Sequence, residues 1–168
     1  MDKSIKITGI NNRYYIKKLK KENKVEIRVN SKKWEIDKEI LEWNNQLKNI
    51  ENEEYPLFQS ELKIKLNNYK SQDIKKQIFD INLFISYEDL IKKIKESELK
   101  CYYCNDCIFI LYEIVRENKQ WTLDRINNEI GHNKGNIVIS CLQCNLKRKD
   151  INSTKFLFTK QLILNKVN

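Results

Sequence analysis

Apolar and polar positions alternate in the first stretch of the chain and recur every three or four residues later. Ile5-Lys-Ile7 alternates, Arg13 to Leu19 is a second run, and Lys24-Val-Glu-Ile-Arg-Val29 puts Val25, Ile27 and Val29 on one face. Gly9 with Asn11-Asn12, and Lys20 to Asn23, read as the turns between them. A three-stranded meander is therefore expected over 1–35. Ile36, Ile40, Trp43, Leu47 and Ile50 then predict an amphipathic helix over 37–50. Glu51 to Pro56 holds the sole Pro and reads as a connection. Residues 57–84 carry two signals: Leu62, Ile64 and Leu66 alternate like a strand, whereas Ile74, Ile78 and Ile81 repeat like a helix.

The pattern is plainer from Ser86 onward. Ser86-Tyr-Glu-Asp89 fits a helix cap, and Leu90, Ile91, Ile94 and Leu99 supply the apolar stripe behind it. Two β-like runs follow, Ile108 to Val115 and Gln120 to Ile126, joined by a polar turn at Arg116 to Lys119. A loop from Gly131 to Gly135, a short strand Ile137-Val-Ile139 and a helix from about Leu142 complete the stretch. Asn152 or Ser153 caps a last helix carrying Phe156, Leu157 and Leu162, expected to pack back on the preceding elements. The fold class is α+β.

Composition narrows the partners. The 168 residues hold 32 Lys+Arg against 23 Asp+Glu, a formal net charge of +9. Such a chain attracts polyanions, with nucleic acid first and an anionic membrane surface second. The abundance of Lys, Ile and Asn beside a complete lack of Ala also marks an AT-rich coding bias, which accounts for part of that charge. No apolar run is long enough to span a bilayer, and the N-terminus lacks the apolar centre of a signal peptide, so an intracellular location is expected.

The cysteines carry the first chemistry. Cys101, Cys104, Cys107, Cys141 and Cys144 are an odd set, which argues against a disulfide framework. Cys101-Tyr-Tyr-Cys104 and Cys141-Leu-Gln-Cys144 are two Cys-x-x-Cys turns, each able to place two thiolates on one metal. Together they predict a closed structural Zn²⁺ site. Cys107, also spaced to pair with Cys104, is expected to be a plain thiol.

Between the pairs lie Leu-Asp124-Arg125-Ile, Gly131-His132, Asn136 opening the strand to Cys141, and Asn145 directly after Cys144. This layout resembles the zinc-knuckle branch of the HNH (ββα-metal) endonucleases, such as those of phages, large DNA viruses and mobile introns. The resemblance covers about fifty residues, Cys101 to Lys149. It implies a metal-dependent DNA endonuclease leaving 5′-phosphate and 3′-hydroxyl, with Asp124 and Asn145 holding Mg²⁺ or Mn²⁺. Asn136 would tie the loop to the first strand, and Lys147, Arg148 and Lys149 would grip flanking phosphates. The domain plan that follows is 1–56 as a basic meander plus helix and candidate DNA-binding module, 57–85 as a connector, and 86–168 as the zinc-bound nuclease domain.

One position departs from the pattern. Arg125 stands where the family has its water-activating His, and a guanidinium cannot accept a proton. Arg125 could bind the scissile phosphate instead. The single histidine, His132, or else a metal-bound hydroxide, is left to act as base. The partner expected is double-stranded DNA, with no membrane, and a homodimer or two sequential cuts for a double-strand break. The alternatives are a catalytically inactive, zinc-stabilised nucleic-acid-binding protein, favoured by Arg125, and a protein-interaction zinc module without DNA affinity.

Overall fold

The computed structural model describes residues 25–52 and 56–162. The first two strands and both turns expected before residue 25 lie outside the described residues. The chain divides into two compact units, Met1–Trp34 with Glu113–Val115, and Glu35–Tyr112 with Arg116–Asn168.

In the smaller unit Ile27 bridges Ile114 in antiparallel fashion, flanked by hydrogen bonds from Arg28 N–H to the Glu113 carbonyl and from Val115 N–H to the Glu26 carbonyl, both 2.8 Å. A 3₁₀ turn, Ser31–Lys33, follows, and the Arg28 guanidinium lies 5.5 Å from the Trp34 ring centroid. Val25 and Val29 are exposed, so the alternation over 24–29 does not mark a buried face among the described residues.

The larger unit begins with a 3₁₀ turn, Lys38–Leu41, capped by the Asp37 carboxylate, and helix α1, Trp43–Asn52. The expected helix over 37–50 is thus split at Glu42, whose backbone is extended. Helix α1 is fastened to the later chain. Trp43 Nε1 donates to the Leu99 carbonyl, and the buried Gln46 amide accepts from the N–H groups of Ile110 and Leu111 and donates to the Leu111 carbonyl. The first unit's main segment ends at Trp34. Ile108 to Val115 forms no strand: the Ile110 and Leu111 amides are used by Gln46, and only Phe109 and Ile114 form single bridges.

The ambiguous stretch resolves into helix α2, Pro56–Lys75. Pro opens it at the position where its missing N–H costs nothing. Phe58, Leu62, Leu66 and Tyr69 form its buried stripe at helical spacing, while Ile64, which created the strand-like alternation, is exposed. Gln77, in the left-handed region at φ 59°, ends the run, and Ile74 and Ile81 are exposed. Helix α3, Tyr87–Glu96, starts at Ser86, whose Oγ accepts from Asp89 N–H at 3.1 Å.

Strand β1, Trp121–Arg125, pairs antiparallel with β2, Ile137–Cys141, with Leu123 opposite Ile139. Helix α4, Leu142–Arg148, follows without a linker, because Cys141 is both the last residue of β2 and the helix N-cap. Helix α5, Ser153–Gln161, is capped by Asn152 Oδ1 and returns to the unit through Phe156, edge-on to the Tyr103 ring at 4.9 Å. On the free side of β1, helix α2 supplies the missing partners. Leu123 N–H donates to Tyr69 Oη at 3.0 Å, and Lys65 Nζ donates to the Gln120 side-chain oxygen and the Trp121 carbonyl. No helix among the described residues is long and apolar enough to cross a membrane.

Candidate functional site

The four cysteines of the two turns converge. The Sγ atoms of Cys101, Cys104, Cys141 and Cys144 all lie within 4.8 Å of one another. Backbone geometry builds this cluster from both sides. Cys141 N–H points at Cys101 Sγ (3.2 Å), and Cys144 N–H at Cys141 Sγ (3.3 Å). Crowding separates the thiols: the hydrogen bond with Cys141 lowers Cys101 to about 5, while burial pushes Cys104 up to about 12 and also raises Cys144. Cys141 is raised by its bond to Cys101. Four soft donors with charge to spare suit a tetrahedral ion such as Zn²⁺, whose charge stabilises thiolates that cannot otherwise coexist. Cys107 lies outside the cluster, half-buried.

Asp124, on β1, is buried and faces α4. Arg148, at the end of that helix, donates from Nε to Oδ2 (2.6 Å) and from Nη2 to Oδ1 (2.8 Å), and Tyr103 Oη donates to Oδ2 at 2.7 Å. Arg148 Nη2 also reaches the Arg125 carbonyl and Asn128 Oδ1. Burial works against the Arg148 charge, but Asp124 outweighs it and raises the pKa further. Two expectations change here. Arg148 is not a surface grip for phosphate, because its guanidinium is buried on Asp124; Lys147 and Lys149 are the exposed cations of that triplet. Asp124 with Asn145 does not offer a divalent-ion site as arranged. The carboxylate already has a cation, and a metal would strand a buried guanidinium without counter-charge. The Asn145 amide NH₂ is directed at Thr122 Oγ1 (3.2 Å) and the Leu123 carbonyl (3.4 Å).

The loop after β1 is tied by Asn136. Its Oδ1 accepts from Asn127 N–H (2.9 Å), and its Nδ2 donates to the Asn127 (3.0 Å) and Gly131 (2.9 Å) carbonyls. Arg125 Nη1 rests on the carbonyls of Asn128 (3.1 Å) and Ile130 (3.3 Å), two residues before His132. The sequence left out the partner of that histidine. Asp73, near the end of α2, accepts from His132 N–H through Oδ2 (2.6 Å) and meets ring Nδ1 with Oδ1 (2.8 Å). The Tyr69 ring lies 4.6 Å from the imidazole, centroid to centroid. Ring Nε2 has no hydrogen-bond partner among the described residues, yet it is not a sealed orphan: Asn133 Oδ1 alone is buried without one. Gly131 permits this approach, since a Cβ there would meet the Ile78 carbonyl at 2.6 Å and Asp73 Oδ2 at 2.8 Å. Burial lowers the His132 pKa below its ordinary value, Asp73 opposes, and Arg125 and Lys76 act in the same direction as burial. The net shift favours the neutral imidazole over the cation.

Comparisons decide nothing further. No family model, curated protein or solved structure matches this chain. The structure brings the four cysteines together, sets Arg125 on the loop that carries His132, and joins Asp124 to Arg148. Asp73 was missed because it falls in the stretch with mixed periodicity. The one available signal was a carboxylate on the stripe Leu62, Leu66, Tyr69, a position that helical spacing assigns to the core.

Proposed function

We propose that the chain is an HNH-type DNA endonuclease, stapled by a structural Zn²⁺ on Cys101, Cys104, Cys141 and Cys144, in which His132 accepts the proton of the attacking water. One observation carries the reading: His132 meets Asp73 through Nδ1, leaving Nε2 without a hydrogen-bond partner among the described residues, on the loop against which the Arg125 guanidinium rests, within a strand–loop–strand–helix run closed by four cysteines. Arg125 cannot act as base, and His132 supplies what that position lacks. In this mechanism water loses a proton to Nε2 as its oxygen bonds to phosphorus. The bond to the 3′ oxygen breaks, leaving a 5′-phosphate and a 3′-hydroxyl protonated from solvent. Arg125 holds the phosphate and offsets its gathering negative charge. The net charge of +9 and the exposed Lys147 and Lys149 favour double-stranded DNA as substrate.

A second reading, a zinc-stabilised nucleic-acid-binding protein that does not cut, is favoured by the engagement of Asp124 with Arg148. Incubation of zinc-loaded protein with supercoiled plasmid and with genomic DNA, in Mg²⁺, Mn²⁺ or EDTA, separates the two and reads the divalent-ion dependence that the resemblance implies. Nicking that falls at least about 10²-fold in His132→Ala supports the nuclease. A folded protein that shifts DNA and cuts neither substrate supports the binder.

A further inference from the structure

We propose that Asp73, on a helix outside the Cys101–Lys149 stretch, is the positioning residue of this site: it fixes His132 as the Nδ1–H tautomer and so presents Nε2 as the proton acceptor. The inference rests on the nuclease reading above and names a residue that nothing in the motif supplies.

The two oxygens of Asp73 do separate jobs. Oδ2 holds the backbone of His132 and Oδ1 its ring, so both the position of the loop and the rotation of the imidazole are fixed by one carboxylate. An ionised carboxylate only accepts hydrogen bonds, so Nδ1 carries the proton and Nε2 does not. Asp73 is 0% exposed, on the stripe where α2 otherwise buries Leu62, Leu66 and Tyr69. A carboxylate in such a place is costly unless its hydrogen bonds are made. Its two side-chain hydrogen bonds both involve His132. Capping the loop would need the backbone bond alone; the second bond, to the ring, is what a purely structural role leaves without a reason. The charged and titratable groups around the imidazole are Asp73 from α2, Lys76 just past its end, the Tyr69 phenol beside the ring, and Arg125 from β1. Asp73 stabilises the imidazolium formed when water gives up its proton, until that proton leaves to solvent.

His132 is the single histidine of the chain, so its ring ¹⁵N signals read without assignment. The test combines that spectrum with plasmid nicking by zinc-loaded full-length wild type and Asp73→Asn across pH. The expected results are a neutral ring protonated at Nδ1 and wild-type nicking that rises with the His132 titration. Asp73→Asn should lose about 10²-fold in rate at the plateau, with unchanged circular dichroism. A neutral wild-type ring protonated at Nε2 overturns the inference, whether or not the variant folds. Equal nicking and an equal pH profile in Asp73→Asn overturn it and leave the nuclease standing. No cleavage by folded wild type of any DNA offered overturns both.

Discussion

Removing the carboxylate of Asp124 strands a guanidinium. Arg148 is held by two hydrogen bonds to Asp124 with both side chains nearly sealed from water. Asp124→Ala should therefore cost about 3–5 kcal/mol in urea unfolding, well above the typical surface substitution. Arg148→Met, which leaves Asp124 only its Tyr103 hydroxyl, should cost a similar amount. A loss below 1 kcal/mol in either would mean the pair is not buried in solution. His132 makes the second prediction at this scale. Its pKa is lower in the folded chain than the ordinary 6.5 because burial disfavours the cation. The unfolded chain then binds the proton first, so this contribution is intact above the unfolded pKa and is lost as pH falls through the folded value. Between pH 7 and pH 5, wild type should lose more stability than His132→Gln; parallel curves would contradict the assignment. Single residues were unevenly readable. Cys-x-x-Cys spacing announces a metal because two donors per turn is a geometric requirement. Asp124 also stood out, but its partner did not: Lys147, Arg148 and Lys149 look alike in sequence, and only the helix phase turns Arg148 inward.

Helix α2 is the element whose role the pattern hid. Its outer face is interrupted by Ile64 and Ile74, so apolar residues fall on both faces and alternation over 62–66 imitates a strand. Length decided the matter, because a helix of 20 residues makes far more internal bonds than a short strand with no sheet to join. The Ser86 cap, by contrast, was readable because its cause is local: one hydroxyl and one free N–H three residues on. The Gly131 loop lies between these extremes. The glycine announced a loop, but its tight neighbours are far upstream: Asp73 on α2, 58 positions away, and the Ile78 carbonyl just past that helix. Gly131→Ala pushes a methyl against a backbone carbonyl and the Asp73 carboxylate, so a loss of about 1–3 kcal/mol is expected in thermal or urea melts. The His132 ring signals should shift with it. Gly135→Ala meets no neighbouring atom, and its cost comes instead from its φ of 89°; the two variants should differ in their effect on His132.

At the level of the whole molecule, the four-cysteine cluster and helix α2 brace the same two strands from different directions. The cysteine cluster joins the Cys101 turn to the end of β2 and the start of α4. A structural zinc contributes on the order of 10 kcal/mol of apparent folding energy, comparable to the stability of a small domain. Chelation, or Cys141→Ala with Cys144→Ala, should abolish the cooperative melt of the larger unit; a folded, zinc-free double variant by circular dichroism would refute this. A fragment of residues 86–168 should fare little better even with zinc, since it lacks Tyr69, Lys65 and Asp73 from α2 and Gln46 from α1. Those four side chains supply bonds to Leu123, Trp121, His132 and Leu111 respectively. The mix of helix and strand was readable because it follows from local pattern, as were the elements after Ser86 apart from the expected run Ile108 to Val115. The division after Trp34 was not, because it depends on hydrogen bonds between residues more than fifty positions apart, such as Trp43 to Leu99.

The bond from Leu123 N–H to Tyr69 has a use beyond stability. Most amides of a two-stranded ribbon exchange their hydrogens when the ribbon opens, but this one points away from β2 to a phenol on α2. Its exchange with deuterium therefore follows the undocking of that helix, while the amides shared with β2 follow separation of the strands. Compared with and without zinc, the Leu123 amide and its β2-paired neighbours give separate clocks for two openings of one small protein.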